Sequence, residues 1–465
     1  MRWLAIDPDK PIGHSVTAAA IDTAAVFDPA SYVTGVPFDA LTRLRRDHPV
    51  VWVDEPPTLG WPGGPGFWLV LRHADVERVL SQPKLFSSAL GGTQTRDPAT
   101  PDALRYVRRM MLNMDPPEHT RLRRLVTKSF TPRAVAQLEE RIQTHANAVV
   151  DRVVGNADAG QCDFAKDLAA DLPLLTLAEI LGVPIEDRML LFDWANRAIG
   201  YQDPDYATSG EFAPEAGTAM ARAALRHRPS WGPDGSMPDP RTREGMADLY
   251  AYAHLLAEEK RARPADDVMS ILLAETDDDG GRLSIEEFEN MFWLFAVAGN
   301  ETLRNGLPGA CIGLLDHPAA LADLRADPAL LPGAIEELLR WWTPVMTFRR
   351  TATAPCRLAD VEIGAGQKVV VSFTSANRDE SVFADPDQVD IRRHPNPHLA
   401  FGYGPHFCLG AQLARVQMRA LFAAVVARMG HLEYAGQPAF LRSNFQRGVK
   451  RLPVRWSRHR GTPDE

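Results

Sequence analysis

Cysteine is scarce in this sequence. The four present, Cys162, Cys311, Cys356 and Cys408, include no C-x-x-C pair. That scatter argues against a disulfide framework, leaves a structural zinc site without support, and fits a reducing compartment. A long apolar run is missing as well. Met1-Arg2-Trp3-Leu4-Ala5-Ile6 gives way at once to Asp7-Pro8-Asp9, and no stretch matches a signal h-region or a membrane span. The expectation is a soluble, cytoplasmic protein with no membrane anchor. Excess positive charge is absent too. With 51 Lys and Arg against 60 Asp and Glu the net charge is −9, which argues against nucleic acid as a partner. Internal repeats and linkers of domain-boundary type are not found. What remains, 45% hydrophobic and 24% charged residues over 465 positions, is globular material with enough apolar surface for a large core.

The pattern along the chain divides into a loosely structured lead-in over 1–35, a single domain over 36–458 and a tail over 459–465. Leu41 to Asp47 reads as a short helix. Phe67-Trp68-Leu69-Val70-Leu71, entered through the turn residues Pro62 to Gly66, reads as a strand. From about 104 to 340 the pattern is mostly helical. From about 348 to 400 it shifts to short strands and turns, with Val369-Val370-Val371 after Gly364-Ala365-Gly366. A last helix starts near Cys408 and runs past Met418. Residues 202–245, rich in Pro, Gly and charge around Ser230-Trp231-Gly232-Pro233-Asp234-Gly235, form a long insertion of the kind that is functional or disordered. Glu275, Asp277, Asp279, Gly280 and Glu286 come near the spacing of a calcium loop. Arg282 stands where an apolar residue is wanted, so an acidic surface turn is the better reading.

The strongest signal is Phe401-Gly402-Tyr403-Gly404-Pro405-His406-Phe407-Cys408-Leu409-Gly410. Two glycines before the cysteine permit a tight turn that presses backbone near a flat ligand. Gly410 lets a helix begin without crowding that ligand. A cysteine at a helix N-terminus meets unpaired N–H groups and the positive end of the dipole, which are expected to lower its thiol pKa.

Three further segments carry candidates. Phe295-Ala296-Val297-Ala298-Gly299-Asn300-Glu301-Thr302 reads as helix, opened by a capping box of Ser284 and Glu287. Ala298 and Gly299 are small enough for close approach to a planar group. Thr302 can bond back to the Ala298 carbonyl, and acid followed by alcohol, Glu301-Thr302, suits a proton relay. Glu337 and Arg340 lie three apart on one helical face; alone, that spacing is an ordinary structural ion pair. His119 and Arg123, four apart, also share a face; alone, they would be a solvated basic helix.

Taken together and in this order, the motifs from about 40 to 450 resemble the cytochrome P-450 family. The resemblance implies a mainly α fold, a large helical domain with a small β-rich region. It implies haem b bound through Cys408 as axial ligand of the iron, with thiolate donation favouring O–O cleavage. Phe401 would lie on the proximal side with Gly402 and Gly410 beside it, and Ala298 and Gly299 on the distal side. His119, Arg123, Arg350 and His406 would clamp the propionates, Arg350 being preferred to Arg349 by the family's Arg-x-Ala pattern. Thr302 and Glu301 would be catalytic, and Glu337, Arg340 and Arg378 a structural network.

The implied reaction is hydroxylation of a hydrophobic small molecule with dioxygen and two electrons. A ferredoxin with its reductase would supply the electrons, docking near Arg415 and Arg419. Gly91-Gly92-Thr93-Gln94 and Arg304-Asn305 resemble actinobacterial members that hydroxylate sterol side chains and branched lipids, so a steroid, terpenoid or branched lipid is expected. Leu90 to Tyr106 and 202–245 would face the substrate, the latter as a lid. Tailoring of a polyketide or peptide, and a haem-thiolate ligand sensor, remain as alternatives.

Overall fold

The computed structural model describes residues 23–58, 62–209, 212–232, 238–276 and 280–458. In chain order, the helices that position the site are α1 (Glu118–Thr127), α2 (Asp171–Leu181), α3 (Arg188–Ile199), α4 (Pro204–Ala207), α5 (Ala219–Leu225), α6 (Ala247–Ala262), α7 (Ile285–Asp316), α8 (Leu331–Trp342) and α9 (Ala411–Arg428). Strands β1 (Val50–Val53), β2 (Phe67–Val70), β3 (Phe86–Ser87), β4 (Thr347–Ala352) and β5 (Lys368–Ser372) form one sheet in the order β1-β2-β5-β4-β3. Only the β2–β5 pair in it is parallel. The mainly helical expectation and the strands at 67–70 and 368–372 are found.

Helix α7 crosses the centre of the molecule. Its start is the capping box read from sequence: Glu287 N–H donates to Ser284 Oγ at 3.1 Å, and Ser284 N–H donates to the Glu287 carboxylate at 2.9 Å. Along α7 a run of small residues lets α8 approach. A Cβ at Gly309 would overlap the Trp342 ring, and one at Gly313 would lie 2.9 Å from Leu338. Trp342, fully buried, fills that seam. Burying an aromatic of this size contributes roughly 3 kcal/mol or more. Strand alternation settles another placement. Arg349 and Arg350 pair with Val370 and Val369 across β4–β5, so their side chains leave on opposite faces of the sheet.

Two expectations need correction. The lead-in is not loose throughout: Ala24–Phe27 and Pro29–Thr34 are helical, and Val26 and Phe27 are buried. Burial of apolar residues holds this short segment down; residues 1–22, like the tail 459–465, lie outside the described residues. The 202–245 insertion is not a structureless loop either. It contains α4, α5 and short 3-10 turns at Pro214–Ala216 and Glu244–Met246. Thr218 caps α5 and also bonds the buried Asp187, while Ala221 and Ala224 pack inward. Part of its Gly/Pro core, 233–237, lies outside the described residues.

Candidate functional site

The cysteine loop takes its shape from two glycines in the left-handed region, Gly402 at φ 74° and Gly404 at φ 68°. A Cβ at Gly404 would stand 2.6 Å from the Leu80 carbonyl oxygen, so only glycine fits there. The loop closes with Cys408 N–H donating to the Phe401 carbonyl at 2.8 Å, and α9 begins three residues later. Cys408 sits deep in the molecule yet opens onto a cavity of about 260 Å³. Nothing stands within 4 Å of a Cβ built on Gly410.

The opposite wall is α7. From Ile285 to Leu315 every residue is buried or half-buried except Ala298 and Gly299, which are exposed, and the space they meet is this same cavity. Thr302 lines it too, its hydroxyl donating to the Ala298 carbonyl at 2.9 Å, as expected. Two walls of small residues, one bearing a thiol, thus face each other across a gap.

A third wall is basic. His119, Arg123, Arg350 and His406 all line the cavity, and no Asp or Glu does among the described residues. The His119 and His406 rings lie 4.1 Å apart. Burial, with Arg123 next, lowers the His119 pKa to about 4. Burial, then Arg350, His119 and Arg123, lowers that of His406 to about 2. Arg123 donates to the Phe407 carbonyl at 2.5 Å and Arg350 to the Arg349 carbonyl at 2.8 Å, so neither guanidinium meets a carboxylate here. Arg349 instead pairs with Asp97 at 2.6 Å, as the strand alternation requires. Two guanidiniums that no carboxylate bonds, beside two neutral imidazoles and with only Asp115 acting on Arg350 and His119 from outside the cavity lining, suit an incoming anion.

Several expectations are changed. The Cys408 thiol is not lowered: burial pushes it up, and the Gly410 N–H, Arg123 and Arg415 bring it back only in part. Desolvation of the anion outweighs the helix terminus. Glu301 does not line the cavity. It is fully buried, one carboxylate oxygen accepting from Asn305 at 2.7 Å and from the Tyr206 hydroxyl, the other from Arg304 at 2.7 Å. Burial raises its pKa to about 8, partly offset by Asn305.

Glu337 and Arg340 pair as expected at 2.7 Å, both fully buried, but Arg378 is not their third partner. Arg393 is, at 3.1 Å from both Glu337 oxygens, while Arg378 turns to Asp387 at 2.5 Å and the Trp341 carbonyl. The reason is reach: the chain after Val389 folds back over α8, and Asp390 N–H also donates to Glu337.

Arg415 and Arg419 are engaged as well. Arg415 forms two bonds to Glu336, at 2.6 and 2.7 Å, and its guanidinium lies 4.5 Å from the Phe401 ring centre; Arg419 faces Glu139 at 3.6 Å. No described residue of Leu90 to Tyr106 or of 202–245 lines the cavity. Its apolar part comes from residues such as Met111, Leu112, Leu177, Leu294, Phe295 and Phe348. The two segments meet each other instead: Arg241 donates to the Arg96 and Asp97 carbonyls at 3.1 and 3.3 Å, and Arg96 faces Asp239 at 3.5 Å. Of the acidic turn, Glu275 pairs with Lys128 at 2.7 Å, and Asp277 and Asp279 lie outside the described residues.

Glu336, Tyr206 and Arg393 were missed in the sequence. The doubled glutamate at 336–337 and the basic pair Arg392-Arg393 were the available signals; Tyr206 left none.

The cytochrome P450 family model matches residues 322–438. A steroid C26-monooxygenase of Rhodococcus jostii is 35% identical over 430 residues, 92% of this chain and 83% of that protein. A methyl-branched lipid omega-hydroxylase of Mycobacterium bovis is 37% identical over 425 residues, 90% of each chain. A Mycobacterium marinum cytochrome P450 solved with pseudoionone superposes with a TM-score of 0.76 at 35% identity, covering 90% of this chain and 94% of that one.

Proposed function

The chain belongs to the cytochrome P450 family and is a monooxygenase, and on that premise we propose that it hydroxylates a steroid, terpenoid or branched lipid, with haem b held by Cys408. One observation carries the reading. The open thiol of Cys408, the bare Ala298–Gly299 stretch and a wall of basic groups free of carboxylates all border one cavity. The residues present fit a flat dianionic ligand with a central metal.

Haem b, when bound, supplies the iron and porphyrin chemistry that activates dioxygen and inserts one oxygen atom into a C–H bond. The protein's part is ligation, positioning and protons. Cys408 sulfur would ligate the iron; its thiol, raised by burial, loses its proton on ligation. Arg123 and Arg350 would carry the charge of the propionate clamp, with His119 and His406 adding hydrogen bonds. Gly410, Gly402 and Phe401 shape the cysteine side. Ala298 and Gly299 leave room on the other side, and Thr302 offers its hydroxyl there. Glu301, one residue around the helix, holds a proton near neutral pH and is the nearest acid in sequence to supply it. Leu112, Leu177, Leu294 and Phe295 keep water out and favour an apolar substrate.

The substrate class draws support from the names of the steroid and branched-lipid relatives and from this apolar wall. The electron donor, a ferredoxin with its reductase, is supported by the sequence resemblance. Among the described residues no helix is long and apolar enough to cross a membrane.

Two optical measurements test the proposal. Reduced, haem-loaded protein with carbon monoxide should give the long-wavelength band of a thiolate ligand, and Cys408→His should abolish it. Steroids, terpenes and branched fatty acids titrated against the ferric protein should shift the Soret band. A well-folded, haem-loaded protein without that carbon monoxide band would overturn the ligation; silence across all three lipid classes would overturn the substrate class.

A further inference from the structure

Glu301 faces away from the site it is expected to serve. Thr302, its neighbour, lines the cavity and bonds Ala298, while Glu301 lies about 100° around α7 and is fully enclosed. To present its proton to the cavity the carboxyl must leave its three donors. Two of them, Arg304 and Asn305, stand on α7 itself and travel with it. Asn305 is further fixed by Val449 N–H, which donates to its side chain at 3.2 Å. The third, the Tyr206 hydroxyl, comes from a separate element, the four-residue α4 at the start of the 202–245 insertion. Tyr206 is itself only 5% exposed.

The support of α4 runs through Asp203. Asp203 caps it, accepting from Tyr206 N–H at 3.3 Å and from Arg442 N–H at 3.0 Å, and pairs with Lys450 at 2.9 Å. From the Glu301 pocket a polar path leads outward. Arg304 also donates to the Tyr206 hydroxyl and, at 2.5 Å, to the Asn196 side-chain oxygen; Asn196 donates to Ser209 Oγ at 3.0 Å, and Ser209 is exposed. The Arg304 guanidinium lies 4.2 Å from the Phe192 ring centre and 4.9 Å from that of Tyr206. Tyr206, Arg304, Asn305, Asn196 and, behind α4, Asp203 with Lys450 are therefore the polar groups around the acid.

We propose that Tyr206 is a positioning residue through which the 202–245 insertion controls proton delivery, holding Glu301 turned from the cavity until α4 shifts. The proposal rests on the haem-thiolate monooxygenase reading and deepens it. Movement of α4 then releases the acid. With α4 seated, dioxygen is not protonated without substrate, and reducing equivalents are not lost as hydrogen peroxide, which takes two electrons and two protons per dioxygen.

The test is Tyr206→Phe in the haem-loaded protein. The first readout is the infrared carboxyl band of Glu301 in the ferric state, assigned by its loss in Glu301→Gln. Loss of a donor to the carboxylate should raise its titration midpoint by about one pH unit. The second is substrate-free hydrogen peroxide with the electron-donor system, which should rise about tenfold, the equivalent of one hydrogen bond to a charged group. If Tyr206→Phe lowers stability, Asp203→Ala, which loosens α4 but keeps the tyrosine hydroxyl, should move both readouts the same way. Unchanged midpoint and peroxide in folded variants that keep the carbon monoxide band would overturn this proposal alone. Absence of that band in wild type and variants alike would overturn the haem-thiolate reading and this one with it.

Discussion

Glu336 stands one residue before the buried Glu337–Arg340 pair and points the other way along α8. It accepts from Arg415 and pairs with His398 at 3.2 Å, while His398 in turn accepts from Ala400 N–H at 3.3 Å. These contacts brace the segment that leads into the cysteine loop, and Arg415 spreads over Phe401 at its start. Burial works against the Glu336 carboxylate, but Arg415 and His398 overcome it and hold its pKa at about 2. A carboxyl depressed on folding contributes stability that is complete above its unfolded pKa and is lost as pH falls toward the folded one. Glu336→Gln should therefore lower Tm at neutral pH, and the gap to wild type should close as pH drops from about 5 to about 2. Thermal melts across that range decide it; a gap constant with pH would show that the contacts are not ionic.

At the level of elements, much was readable. The Ser284–Glu287 box marked the start of α7, the valine run at 369–371 after a glycine-bearing turn marked β5, and the glycines around Tyr403 marked a turn ahead of a helix. Each is a local rule expressed by a few adjacent residues. The insertion was harder because its structure is tertiary. The two α-helices among its described residues are short, and they persist through contacts with distant residues, Asp187 for α5 and Glu301 for α4. Its far end is fastened to the 91–97 segment through Arg241, Arg96 and Asp239, groups more than 140 positions apart in sequence. Arg241→Ala removes the hydrogen bonds to the Arg96 and Asp97 carbonyls. Limited proteolysis within 202–245 should then run about tenfold faster while global Tm stays within about 4 °C of wild type. Equal cleavage rates would mean that this fastening does not hold the insertion.

For the whole molecule, the cavity is the point at which otherwise separate parts converge: the cysteine loop, α7, the β4 edge and α1. Six residues proposed to have a role, Cys408, Thr302, His119, Arg123, Arg350 and His406, line the cavity and were recognisable in the sequence from their local patterns. The orientation of Glu301 was not, because which way a side chain leaves a helix depends on what packs against it. Nor was the choice of Arg393 over Arg378, which depends on how the chain after Val389 folds back. The cluster also predicts linkage between ligand and stability. Haem at a hundredfold excess over its dissociation constant should stabilise the chain by about 2.7 kcal/mol, read as a rise in Tm on reconstitution of haem-free protein. Replacing Arg123 and Arg350 together by Ala should shrink that rise; an undiminished rise would remove the arginines from the clamp.

Those two guanidiniums have a bearing on how the protein is made. A chain synthesised faster than its dianionic ligand arrives keeps two guanidiniums bonded to no carboxylate against a low-dielectric wall, and this half-finished form is expected to be the one more open to proteases. Iron supply during growth would then set how much of it a culture retains, with transcription and translation unchanged.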